Sequence, residues 1–195
     1  MFSLAQADKR KGDSDTYAVE QCLSGIKKQD LGALEELYLR TSASVFGFAL
    51  SILKNVQDAE DVMHDLYVSV WSGAGMYREG SKPMAWIMTI TRNLCLQKFR
   101  EYQKRSDIPQ EDWETYINGN QNMSPEDRLI LSECLRSLSD EERQIVVLHA
   151  VAGFKHREIG RLLKMPLSTI LSKYNRALKK LQKFMEESNE NNRSR

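Results

Sequence analysis

The sequence predicts an all-α protein: two small helical domains joined by a flexible acidic linker, the C-terminal one a helix–turn–helix. Three observations lead there. Apolar residues recur at three- and four-residue spacing in most segments, and none alternates as a half-buried strand does. Residues 139–181, SDEERQIVVLHAVAGFKHREIGRLLKMPLSTILSKYNRALKKL, read as a supporting helix followed by two helices across a short turn. Between Ser106 and Asp127 the composition shifts. Asp107, Glu111, Asp112, Glu114, Glu126 and Asp127 stand there without a Lys or Arg, and Pro109, Gly119 and the Asn/Gln cluster at 118–122 interrupt any period.

In chain order, Met1 to Asp15 is polar and expected to be mobile. Thr16–Lys28 is a helix with Val19, Leu23 and Ile26 inward. Asp30 caps a longer one whose apolar stripe runs from Leu31 through Leu37, Val45, Phe46 and Ala49 to Leu53. Asn55-Val56-Gln57 interrupts it. Asp58 then caps a third helix reaching about Trp71, with Val62, Leu66 and Val70 toward the core. Gly73, Gly75 and Gly80 mark a loop. Ser81 and Pro83 open a fourth helix to about Arg105, proline suiting a first turn. The divisions expected are a helical domain over 16–105, the linker over 106–124, and the helix–turn–helix domain over 125–187.

The C-terminal stretch justifies its reading locally. Helix restarts at Ser124-Pro125-Glu126-Asp127, with Leu129, Ile130, Cys134, Leu135 and Leu138 packing against the helix–turn–helix. Ser139 with Glu142 three residues on forms a capping box, and Gly153 ends that helix. Ile159, Leu162 and Leu163 share a face of a short helix. Met165-Pro166 breaks it, because proline removes a donor and restricts the residue before it. Ser168 or Thr169 is expected to cap the last helix, with Ile170, Tyr174, Ala177, Leu178, Leu181 and Phe184 at helical spacing. Glu186–Arg195 reads as a frayed tail.

Charge separates function classes. The whole chain carries a formal charge of only +1, yet from Arg143 to Phe184 ten lysines and arginines face one acid, Glu158. That concentration suits a phosphate-binding face, and two helices across a short turn place the second in a major groove. A merely solvated basic face is the plainer alternative. No apolar run approaches the roughly 20 residues a membrane span needs, and the N-terminus lacks a signal-peptide core, so a cytoplasmic protein is expected. Cys22, Cys95 and Cys134 are scattered and read as small buried hydrophobes rather than a disulfide framework or zinc site. No phosphate loop, nucleophile elbow or metal motif is present, so neither an enzyme, a catalytic residue nor a cofactor is expected.

Two further surfaces invite a role. On the third helix Asp58, Glu60, Asp61, His64 and Asp65 leave an acidic exposed side. Acids near an N-terminus also suit the helix dipole. A docking face for a basic partner and a metal site are the other readings, the last lacking a ligand set on another helix. The loop and fourth helix from Arg78 to Arg105 hold seven bases and two acids, with Trp71, Tyr77 and Trp86 alongside. Bases interleaved with rings suit single-stranded nucleic acid, although either tryptophan can instead be core. Asn93 beside Arg92 adds a side chain able to pair with a base edge.

Three stretches, DAEDVMHDLYVSVW, WIMTITRNLCLQKFR and LSDEERQIVVLHAVAGFKHREIGRLLKMPLSTILSKYNRALKKL, stand in an order that resembles an extracytoplasmic-function sigma factor of bacterial RNA polymerase, in the sigma-70 family. The resemblance covers most of Thr16–Phe184. It implies a transcription initiation factor that binds core polymerase through the β′ clamp helices and the β flap. Asp58, Asp61, Asp65 and Leu66 become the expected clamp contacts. Tyr77, Arg78, Lys82, Trp86, Arg92, Asn93 and Lys98 become the expected −10 element contacts, with melting of the duplex and capture of a flipped base. Arg157, Ser168, Thr169, Ser172, Lys173, Arg176 and Lys179 become the expected −35 contacts. An anti-sigma factor, in many relatives membrane-anchored, is the expected regulator. The chain itself is not expected in a membrane.

The sequence departs from the family where Lys164 replaces a frequent glycine and Leu171 a commonly basic residue. The competing reading is a stand-alone helix–turn–helix transcriptional regulator. It predicts duplex binding without polymerase and has no use for the basic, aromatic fourth helix.

Overall fold

A computed structural model gives the backbone of residues 2–105, 112 and 132–193, and the side chains of 15–104, 112 and 132–186. The described elements are helices: α1 (Phe2–Lys27), α2 (Leu31–Leu53), α3 (Val56–Gly73), a 3-10 turn (Ala74–Met76), α4 (Pro83–Arg105), α5 (described over 132–137), α6 (Asp140–Ala150), α7 (His156–Leu163) and α8 (Leu167–Arg193). The expected linker lies outside the described residues except for Asp112, and the helix restart at 124–127 lies outside them too.

The first four helices close around Leu23 and Ile26 of α1, Leu37, Val45 and Phe48 of α2, Val62, Leu66 and Val70 of α3, and Ile87 and Met88 of α4. Asp30 caps α2, accepting from the Gly32 and Ala33 amides at 2.9 and 3.4 Å. The α3 cap differs from expectation. Asn55 fills it, accepting from the Asp58 amide at 2.9 Å. A backbone already extended at Asn55 puts the helix start three residues earlier than the Asp58 signal suggested. α1 also begins at Phe2 rather than Thr16, so the polar stretch expected to be mobile continues the helix.

In the C-terminal half, Ser139 and Glu142 form the expected capping box, with Ser139 N–H donating to Glu142 at 3.0 Å and Glu142 N–H to Ser139 at 3.3 Å. Gly153 has φ +70° after the end of α6. Lys164 has φ 57° at the α7 C-cap, the left-handed site that glycine favours. α8 begins at Leu167, so Ser168 and Thr169 lie inside its first turn and do not cap it. It runs on to Arg193 where a frayed tail was expected. At Gly160 an added Cβ would lie 2.9 Å from the Met165 carbonyl oxygen. Gly160→Ala is therefore expected to lower stability by about 1–3 kcal/mol, read in urea melts of the full chain; an unchanged midpoint would mean the turn yields freely.

The two halves touch. An added Cβ at Gly47 of α2 would lie 3.6 Å from Val147 of α6, and the Ser44 hydroxyl donates to the Val151 carbonyl at 3.4 Å. Ile145, Leu148, Phe154, Ile159, Leu163 and Ile170 join the same buried cluster as the first four helices. Lys54, left-handed at the α2 C-cap, pairs with Asp140 at 3.0 Å. Its carbonyl accepts from the Asp112 amide at 3.1 Å, and the Asp112 carboxylate accepts from the Val56 amide at 2.8 Å.

Candidate nucleic-acid and polymerase interface

Helix α4 presents one continuous outward face. Thr89, Asn93, Gln97 and Arg100 are exposed along it, with Trp86 half-buried at its start. Trp86 is tilted against Tyr77, ring centroids 5.5 Å apart. Tyr77 itself is 3% exposed, so it supports Trp86 from beneath rather than meeting a base. Burial pushes its phenol upward, and it stays a proton donor, 2.9 Å from the Ser81 carbonyl. Arg78 and Lys82 are exposed on the loop, and Arg92 is half-buried on the flank of the face. Thr89 and Gln97 join Asn93 by helical spacing, a signal present in the sequence. Met76 is 81% exposed just before the loop.

Lys98 is a correction. It lies about 140° around the helix from Asn93, at 3.6 residues per turn, and turns toward α3. Its ammonium donates to Asp58 at 2.8 Å and Asp61 at 2.7 Å. Burial opposes its charge, but the two carboxylates outweigh that and raise its pKa. The Lys98 bond in turn holds the Asp61 carboxyl below its ordinary range. Asp58 is 7% exposed and Leu66 0%. Both were expected as partner contacts, and both are instead interior: Leu66 fills the core and Asp58 anchors Lys98. What α3 offers outward is Asp61, His64, Asp65 and the 55%-exposed Val68.

On α8, Ser168, Ser172, Arg176 and Lys179 are exposed, as is Arg157 on α7. Thr169 and Lys173 are half-buried. Lys173 pairs with Glu141 at 2.5 Å, and Lys180 with Glu142 at 2.7 Å. The acids at the start of α6 thus neutralise one flank of α8 and leave Ser168, Ser172 and Lys179 facing away from the protein. Leu171 is exposed on the other flank.

A cluster that the sequence did not announce locks α8 in place. His149 and His156 stack at 4.5 Å, and the Tyr174 ring meets both edge-on at 4.9 and 4.7 Å. His149 Nδ1 lies 2.8 Å from the Phe154 carbonyl. Burial, and then His149, push the His156 pKa down. Among the described residues no group of three or more His, Cys, Asp or Glu could hold a metal. None of the described helices is long and apolar enough to cross a membrane.

Two family models match the chain: Sigma-70 region 2 over residues 37–105 and Sigma-70 region 4 over residues 128–181. The chain belongs to the sigma-70 family, in its extracytoplasmic-function group. The sigma factor SigK of Mycobacterium tuberculosis and that of Mycobacterium bovis are each 25% identical over 175 residues, covering 86% of this chain and 94% of theirs. Two solved structures share the fold. RpoE, in complex with the anti-sigma factor NepR from Bartonella quintana, matches with a TM-score of 0.61 and 22% identity, over 78% of this chain and 96% of RpoE. CnrH, in complex with the cytosolic domain of CnrY, matches with a TM-score of 0.60 and 19% identity, over 89% of this chain and 97% of CnrH. The match over 37–105 spans the α4 face and the acidic α3 edge, and the match over 128–181 spans the helix–turn–helix.

Proposed function

We propose that this chain binds bacterial core RNA polymerase and directs promoter-specific initiation, reading the −10 element with α4 and its loop and the −35 element with α8. The observation that carries this reading is the outward α4 face, with Trp86, Asn93 and Arg100 in line and an exposed basic loop at one end. A duplex-only regulator has no use for it. For the −10 element we assign Arg78, Lys82, Trp86, Arg92 and Asn93, with Tyr77 as support. For the −35 element we assign Arg157, Ser168, Ser172, Arg176 and Lys179, with Thr169 and Lys173 at the edge. Asp61 and Asp65 are the assigned clamp contacts, and the β flap is the second polymerase contact. The protein works in the cytoplasm, where its polymerase is.

The closed arrangement supports control by an anti-sigma partner. Lys82, assigned to the −10 element, is ion-paired with Glu158, next to Arg157, assigned to the −35 element. On a promoter those elements lie about 25 base pairs apart, roughly 85 Å at 3.4 Å per step. One molecule cannot keep the Lys82–Glu158 contact and span them. A partner that holds the halves together therefore blocks both readers.

Run-off transcription with purified core polymerase tests the function. Absence of a promoter-specific transcript from every promoter of the source genome would reject it. Asp61→Arg is expected to weaken core binding about 10- to 100-fold, the range of a lost charged contact, with only a small fall in melting temperature, because Lys98 loses one carboxylate but keeps Asp58. Undiminished core binding would remove Asp61 from the interface.

A further inference from the structure

The loop from Tyr77 to Lys82 is exposed at Arg78, Glu79, Gly80, Ser81 and Lys82, yet it is not left to itself. Helix α1 holds it at several points. Glu20 Oε1 accepts from the Gly80 amide at 2.6 Å, and Gly80 has φ +75°, a conformation that aims its N–H back at α1. The same oxygen lies 3.3 Å from the Tyr77 hydroxyl, whose proton is shared with the Ser81 carbonyl at 2.9 Å. Lys27, two turns along α1, pairs with Glu79 at 3.0 Å and sits 5.7 Å from the centre of the Tyr77 ring. Glu20 is half-buried between these elements. Residues 60 positions apart are thereby joined, and the family match begins only at residue 37.

We propose that Glu20 is a positioning residue for promoter melting: its carboxylate fixes the Gly80 amide and the Tyr77 hydroxyl so that the loop and Trp86 stand ready for the unstacked −10 strand. This role rests on the sigma reading and adds a part of the chain to it. Glu20 does not touch DNA. Its effect is that the ordering of five exposed residues is completed during folding and not during base capture, which is how preorganisation raises affinity. The charge matters less than the acceptor, because the bond that closes the loop is an N–H to oxygen contact.

The test uses holoenzyme built from core polymerase and the full chain carrying Glu20→Ala or Glu20→Gln. The template is a promoter found by run-off transcription with wild type. Opening is read by permanganate reactivity of −10 thymines. On duplex DNA, Glu20→Ala is expected to lower the open-complex fraction about tenfold, the effect of losing one hydrogen bond. Binding of the holoenzyme to a heteroduplex unpaired across the −10 element, read by titration, should weaken by a similar factor, because the loop that Glu20 holds captures the unstacked strand there too, whereas binding to a duplex carrying the −35 element alone should be unchanged. Glu20→Gln should behave nearly as wild type, since its amide oxygen still accepts from Gly80. An equal defect on the duplex carrying the −35 element alone would mark general damage and overturn the proposal. So would normal opening by Glu20→Ala, or failure of Glu20→Gln to rescue. If wild type starts no transcript at all, it is the sigma reading that fails. Hydrogen exchange on the full chain then still decides the contact: the Gly80 amide must exchange slowly in wild type and fast in Glu20→Ala, and equal rates refute it.

Discussion

Replacing Glu142 with alanine is expected to cost about 1–3 kcal/mol, the range for hydrogen bonds lost from a charged, buried acceptor. Glu142 is 1% exposed. It accepts from the Ser139 amide at 3.0 Å and from the Lys180 ammonium at 2.7 Å, while Lys180 also donates to the Ser137 carbonyl at 3.0 Å. One carboxylate thus holds the start of α6, the end of α5 and the middle of α8. Alanine would leave the Ser139 amide uncapped and α8 without its charged anchor, while the Lys180 ammonium, its side chain 37% exposed, would turn to water and the Ser137 carbonyl. Burial alone would raise the Glu142 pKa, but the Lys180 bond and the Ser139 amide outweigh it and lower the value below 4.5. Its contribution is therefore present above pH 4.5 and lost as pH falls through the depressed folded value. Urea melts from pH 7 to pH 3 should show this loss in wild type and a flatter profile in Glu142→Gln. An alanine variant with an unmoved midpoint at pH 7 would contradict the assignment.

The second large effect is on the interior. Leu66→Ala is expected to destabilise by about 2–5 kcal/mol, transfer loss plus a cavity. Leu66 is fully buried in the core shared with α1, α2 and α4. Its signature must differ from that of Asp61→Arg: a much lower melting temperature in the isolated chain, with core binding kept by the fraction that stays folded. If Leu66→Ala left stability unchanged and lost core binding, the residue would belong on the docking surface after all.

The helices were legible because their signals are local. Asp30, Ser139 with Glu142, Pro83 and Gly153 each act within a turn of their own position, and apolar spacing identified the inward sides of α2, α3 and α8. The sigma-70 resemblance came from the same stretches. What stayed hidden depends on contacts between distant segments. The family resemblance places Lys98 among the expected −10 contacts, but its angle around α4 sends it to Asp58 and Asp61. Leu66 was assigned to two roles at once, and only burial separates them. The His149–His156–Tyr174 cluster has no spacing rule, because its members come from three elements. Glu20 offered one carboxylate in an ordinary helix, and only the fold brings Gly80 to it.

The corner at Lys54 and Val56 ties several segments at once. The Lys54 carbonyl holds the Asp112 amide, the Asp112 carboxylate holds the Val56 amide at the start of α3, and the Lys54 ammonium holds Asp140 at the start of α6. Parting the two halves therefore breaks the Lys54–Asp140 pair, a clasp of opposite charges that rising salt weakens.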